Sequence, residues 1–327
     1  MSSYFKARGG RKMENRLKKL LNIAYPIIQG GMAWTSDAVL AAAVANAGGA
    51  GIIGSGGRTA EWVHAEIAKA QSLTQKTFGV NIMLMAPNVK EILEVVCQAR
   101  VAFVTTGAGD PVPFIPQLHA AGVKVIPVVP NVTLAKRVVA AGVDALVIEG
   151  LEGGGHIGNQ TTMALLTNVL REDFSVPVIA AGGITDGRGV AAALLMGADG
   201  VQMGTRFLVT KESPAHAKAK AAIVAATDTD SVVTGFSRTG RGVRCLSNAF
   251  TDAYHAKEIA GVPDAELDKF ATGTNRLGIL EGDLVQGTVM CGESLNAITD
   301  IPSCQEVMER LVAEARATLK RADTISI

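Results

Sequence analysis

The sequence predicts an α/β chain: a (β/α)8 TIM barrel carrying a small inserted helical lid. Three observations predict it. Short apolar segments alternate with helix-forming stretches at a steady spacing. The C-terminal ends of those segments are rich in glycine and amides, whereas their N-terminal ends are not. The alternation then stops after Phe207 and gives way to a charged, helix-like stretch. Buried strands alternating with amphipathic helices give a parallel sheet. Eight such units close most naturally into a barrel, with a doubly wound open sheet as the runner-up.

Taken in order, residues 1–12 carry Lys6, Arg8, Arg11 and Lys12 with no acid and no apolar run. They are not a secretory signal, and are expected to be a disordered tail or expression remnant, with Met13 the natural start. A first helix is expected from about Glu14 to Leu21. Apolar segments then begin near Pro26, Ala50, Phe78, Val101, Val123, Ala145, Val178 and Gly200, 22 to 33 residues apart. Between them fall the helices Asp37–Ala47, Glu61–Ser72, Val89–Ala99, Phe114–Ala121, Thr133–Ala141, Thr161–Leu170 and Gly187–Met196. The expected organisation is a barrel over residues 13–210 and 276–327, a lid over 211–275, and a final amphipathic helix, Cys304–Lys320, packed back on the barrel.

Hydrophobic residues make up 48% and charged ones 19% of the chain, enough for a large core. A net charge of +1 gives no global pull toward nucleic acid or a membrane surface. No stretch approaches the roughly 20 apolar residues of a spanning helix. Cys97, Cys245, Cys291 and Cys304 show no CxxC spacing. They read as reduced thiols of a cytoplasmic protein, with no metal site.

Active sites of such barrels lie at the C-terminal strand ends. The sixth segment empties into Glu149-Gly150-Leu151-Glu152-Gly153-Gly154-Gly155-His156-Ile157-Gly158, a loop with five glycines, two acids and one histidine. Glycine lets backbone N–H groups face a ligand, and histidine trades protons near neutrality. His156 is therefore the candidate catalytic residue, against the plainer reading of a hydrogen-bonded loop histidine. Gly182-Gly183 and Gly204-Thr205 end the seventh and eighth segments, where barrels often bind phosphate. The plainer reading there is that they only turn the chain.

Gly49–Gly54 and Gly153–Gly158 both fit G-x-G-x-x-G. The first lies within a strand, and the second is followed by a strand ending in Ala181-Gly182-Gly183 rather than in an acid, so neither is read as a dinucleotide fingerprint. No strand-end loop holds the cysteine of an inosine-monophosphate-dehydrogenase-type barrel or the lysine of a Schiff-base aldolase. The remaining histidines, His64, His119, His216 and His255, are scattered, which argues against a metal hydrolase. A flavin- or phosphate-binding regulator on a dead barrel would have no need of His156. In the lid, Arg238, Arg241 and Arg244 are candidates to meet nucleotide phosphates or an acidic carrier protein, or form a solvated positive face.

Six motifs together resemble the flavin barrels of the nitronate monooxygenase superfamily: Gln29–Met32, Gly79–Met83, Thr105–Gly109, Glu149–Gly158, Ala180–Ile184 and Gln202–Phe207. Within it they resemble the flavin-dependent enoyl-[acyl-carrier-protein] reductase II branch, through Ile157-Gly158, Thr161-Thr162-Met163, Val125–Pro130, Val243-Arg244 and Asn248. The likeness spans about residues 20–300 and departs most around Val232–Arg241. It implies an FMN enzyme that takes a hydride from NADH or NADPH and reduces trans-2-enoyl thioesters on acyl carrier protein. A nitronate monooxygenase is the first alternative and an NAD(P)H:quinone-type flavin reductase the second. The resemblance implies His156 as proton donor or carbonyl polariser. It places Gly31, Met32, Asn81, Thr106, Glu149, Gly154, Gly155 and Gln202 around the flavin, and Gly182, Gly183, Gly204 and Thr205 at its phosphate. It also suggests a homodimer and leaves room for a monovalent cation.

Overall fold

The computed structural model describes residues 15–235, 242–322 and 324–326. The tail expected at residues 1–12, the start at Met13 with Glu14, and the lid arginines Arg238 and Arg241 lie outside the described residues.

Eight parallel strands form one sheet: β1 (Ile27–Gln29), β2 (Gly51–Gly54), β3 (Phe78–Met83), β4 (Phe103–Gly107), β5 (Lys124–Val129), β6 (Leu146–Glu149), β8 (Val178–Ala181) and β9 (Gly200–Met203). A two-residue strand, β7 (Gly155–His156), lies outside that sheet. The order is β1-β9-β8-β6-β5-β4-β3-β2. The remaining seam, between β1 and β2, is closed by a parallel bridge between Ile28 and Ala50. Closure makes this a barrel and removes the open-sheet alternative. The seam borrows a side chain: the Ile52 N–H donates to Gln29 Oε1 at 2.9 Å, where a full ladder would use backbone.

The strands alternate faces, as the pleat requires. Ile28, Ile52, Phe103, Ile126, Val147 and Ile179 fill the barrel interior. Leu17, Leu21 and Ile23, on and just after the first helix (Arg16–Leu21), pack with that cluster. Val80, Ile82, Val104, Val125, Ile148 and Val201 pack outward against the helices. The helices begin where polar caps allow. Asp37, Asn131 and Asp186 each accept a backbone N–H three residues on, at 2.8 to 2.9 Å, satisfying groups that would otherwise be orphaned. The helix Cys304–Ala322 packs on the helix Gly187–Met196. Only glycine fits at 187, since a Cβ there would lie 2.4 Å from Glu314 Cβ.

The stretch expected to be a helical lid is mixed. It holds the helices Ala217–Ala225, Ala249–Ile259 and Asp264–Ala271, and also a hairpin of β10 (Ser231–Thr234) and β11 (Val243–Leu246). β11 pairs antiparallel with β7. The histidine loop is thus part of a three-stranded sheet with the lid segment. One small apolar core joins Ala219, Ile223 and Leu246 to Leu208 and Val209 before them and to Ile279, Val289 and Leu295 after them, running across positions 210 and 276.

Candidate active site

The C-terminal strand ends surround a cavity of about 390 Å³, within the range of roughly 300–1,000 Å³ usual for small-molecule sites. Gly31, Met32, Asn81, Glu149, Gly154, Gly155, His156, Gly182, Gly183, Gln202, Gly204 and Thr205 all line it. Thr106 does not. It stands opposite Ile82 in the β3–β4 ladder and so shares the outward face of Val104 and Ile82. Its neighbour Thr105 stands opposite Asn81 and takes part in the site, accepting from Asn81 Nδ2 at 2.9 Å.

Close packing fixes the cavity floor. A Cβ at Gly31 would lie 2.2 Å from Asn81 Cβ, so the loop after β1 approaches β3 here as only glycine permits. Gln202 Oε1 and Asn275 Oδ1 are buried acceptors on cavity-lining side chains with no protein partner. Buried acceptors left this way favour a ligand that brings donors. Glu149, at the end of β6, is pushed up to about 7 by burial. Its carboxyl is therefore shared between neutral and charged forms at neutral pH. His156 keeps a face open to the cavity mouth, while the surrounding protein removes enough water to hold its imidazole below the usual value.

One end of the cavity is a backbone cradle. Gly182 and Gly183 have φ of +98° and +72°, the left-handed region open to glycine. A short helix, Thr205–Leu208, begins after Gly204. Glu152 braces the cradle from the histidine loop: its carboxylate accepts from the Thr162 N–H at 2.8 Å and from Thr162 Oγ1 at 2.9 Å. The segment after the lid supplies residues that sequence reasoning missed. The Gly292 N–H donates to Thr205 Oγ1 at 2.8 Å, and Ser294 Oγ donates to the Gly183 carbonyl at 2.8 Å. Asn275, Ile279 and Met290 line the wall above. The glycine-rich composition of residues 282–292 is the one available signal for that segment.

At the β1–β2 rim the Arg58 guanidinium lies 4.6 Å from the Trp34 ring and 4.3 Å from the Trp62 ring. Its Nη2 donates to the Trp34 carbonyl at 3.0 Å. Trp34 holds φ +70° between Ala33 and Thr35, both of which line the cavity.

The family model for nitronate monooxygenase matches residues 14–95 and 88–314. The chain belongs to the nitronate monooxygenase family. Within that family's reach, the solved structure of FabK from Thermotoga maritima superposes with a TM-score of 0.92 at 40% identity, covering 96% of this chain and 99% of that one. The (3aS,4S,5R,7aS)-5-hydroxy-7a-methyl-1-oxo-octahydro-1H-indene-4-carboxyl-CoA dehydrogenase of Rhodococcus jostii is 33% identical over 96% of this chain and 98% of its own. A probable nitronate monooxygenase of Staphylococcus haemolyticus is 32% identical over 93% and 98%. These relatives are oxidoreductases, and so is this member of the nitronate monooxygenase family.

Proposed function

We propose that the protein is an FMN-dependent enoyl-[acyl-carrier-protein] reductase that uses NADH or NADPH to reduce trans-2-enoyl thioesters. The observation that carries this reading is the placement of His156 over the same cavity as the glycine cradle and the unpartnered buried amides. Likeness to FabK over nearly the whole chain, and to a dehydrogenase named for a carboxyl-CoA compound, supports a thioester.

The residues present fit FMN. The N–H groups around Gly182, Gly183, Gly204 and Thr205 suit a phosphate. Gln202 Oε1 and Asn275 Oδ1 offer buried acceptors to a polar ring edge, with Gly31, Met32, Asn81, Glu149, Gly154 and Gly155 along the rest of the cavity. When bound, FMN supplies the two-electron redox chemistry between nicotinamide and enoyl thioester. The chain's own groups orient and polarise. His156, held below its usual pKa, is neutral at physiological pH and offers a ring N–H to the thioester carbonyl. Glu149, half-neutral near pH 7, has an O–H to donate where a fully ionised carboxylate has none. Residues 211–275 act as the lid over the barrel formed by 13–210 and 276–327. The reading extends to a cytoplasmic homodimer acting on carrier-bound acyl groups. Resemblance alone adds a monovalent cation. No helix among the described residues is long and apolar enough to cross a membrane.

The test is anaerobic reduction of the purified yellow protein by NADH and by NADPH, followed by crotonyl-CoA or crotonyl carrier protein. Bleaching of the flavin band by one nucleotide, with colour restored by the enoyl thioester, is the expected result and names the donor. No reduction by either nucleotide, with bleaching by an alkyl nitronate, moves the protein to the monooxygenase branch. A protein that takes up no FMN removes both readings.

A further inference from the structure

We infer that Arg244 is a positioning residue for His156, acting from the back of the sheet that presents the histidine. The inference rests on the role given to His156 above.

In the antiparallel pair, Val243 stands opposite His156 and Arg244 opposite Gly155. Opposed residues share a face and successive residues alternate. The His156 side chain reaches the cavity, whereas Arg244 lies on the other face and does not line it. Gly155 has no side chain to compete for that space. Arg244 is 5% exposed, and its guanidinium is spent on three separate segments. Nε donates to the Leu151 carbonyl at 3.0 Å, and Nη1 donates to Ser231 Oγ at 3.1 Å. Nη2 faces Glu293 Oε2 at 3.5 Å. These segments are the stem of the histidine loop, the outer strand of the hairpin, and the segment that packs on the cradle. Glu293 closes the circuit, since its N–H donates to the Glu152 carbonyl at 3.0 Å.

A planar guanidinium holds three directions at once, which the single ammonium of lysine cannot reproduce. A two-residue strand has little ladder of its own. Among the described residues, β7 is held by its register pairs with Val243 and Arg244 and by the bond from the Ile157 N–H to the Gly242 carbonyl at 3.0 Å. Arg244 therefore sets the height and tilt of the histidine over the cavity. A shift of about 1 Å at such a group costs on the order of 100-fold in rate.

The experiment is a double-mutant cycle between Arg244→Lys and His156→Ala, with hydrogen–deuterium exchange on the flavin-free protein. With His156 intact, Arg244→Lys is expected to lower kcat about tenfold or more, with FMN content and nucleotide KM within about twofold. In the His156→Ala background the same change is expected to lower the residual rate less than about twofold. Exchange over residues 150–158 is expected to rise about tenfold while the barrel strands keep their protection. Glu293→Gln repeats the cycle from the exposed partner, with an expected loss of about two- to fivefold, should Arg244→Lys prove insoluble. An unchanged kcat, or equal losses in both backgrounds, overturns the proposal while leaving the reductase reading intact. A fully active His156→Ala variant overturns the role of His156 itself, and the exchange data then show whether Arg244 still orders the loop.

Discussion

Replacing Gly31 by alanine should damage both the fold and the site, and Gly107→Ala should damage neither fold nor packing. The new Cβ at position 31 would lie 2.2 Å from Asn81 Cβ and 2.7 Å from Asn81 Cγ. Carbon atoms rest at about 3.5–4.0 Å, so a separation of over about 1 Å more is needed. A change of rotamer cannot provide it, because Cβ is fixed by the backbone of β3. That strand is locked in register to β2 and β4, so the strain falls on the barrel wall. Overpacking of this kind costs about 1–3 kcal/mol. Loss of the Asn81–Thr105 hydrogen bond adds about 0.5–1.5 kcal/mol. A Cβ at Gly107, which also lines the cavity, meets nothing within 4 Å. Urea titration of the flavin-free proteins by circular dichroism should give a loss of about 2–4 kcal/mol for Gly31→Ala. The change for Gly107→Ala should stay within about 0.5 kcal/mol. FMN titration by fluorescence should show about a tenfold weaker Kd for Gly31→Ala. Equal midpoints for the two variants would refute the close approach of the loop after β1 to β3 as the reason for glycine at 31.

Other outcomes follow from the same geometry. Gly183→Ala should weaken FMN binding about tenfold or more: φ +72° is strained for alanine by about 1–2 kcal/mol, and the Cβ would press on Glu152 Cβ at 3.2 Å. Equilibrium dialysis would measure this. Glu149 has its folded pKa raised from 4.5 to about 7. Its stability contribution is full below the unfolded value and lost as pH rises through the folded one. The flavin-free protein should therefore lose on the order of 1–3 kcal/mol between about pH 4.5 and 7 from this group, and Glu149→Gln should flatten that slope in denaturation measured across the window. His156 is displaced the other way, so its neutral form is favoured in the fold and is lost on acidification through a value below 6.5. The kcat/KM profile should show an acid limb from His156, which His156→Asn should remove, and a basic limb near pH 7 from loss of the Glu149 proton, which Glu149→Gln should remove.

Much of the barrel is legible in the chain because its information is local. Asp37, Asn131 and Asp186 mark helix starts by their own side chains. Glycine pairs at 182–183 and 30–31 mark the ends of strands that border the cavity. Thr106 shows what one residue of parity decides: with Asn81 on the inner face, the strand alternation puts Thr105 inside and Thr106 outside. The hairpin and β7 are not legible. A two-residue strand has no period to read, and its partner Val243 is remote in sequence and close only after folding. Asn275, Gly292 and Ser294 reach the site the same way, through tertiary packing of a segment whose own composition names no partner.

The chain contains two tryptophans, and both sandwich the same arginine at the β1–β2 rim. Its indole emission thus originates at a single point on the cavity edge, with no indole emitter in the hairpin or the helices beyond it. Indole emission overlaps flavin absorption, so loading of FMN will quench that light by energy transfer; Trp34 also packs on the apolar core that the lid segment shares, so motion of the segment from 211 to 275 will change it as well. Cofactor occupancy can be followed optically without a label, and a label placed in the lid segment separates its movement from cofactor loading.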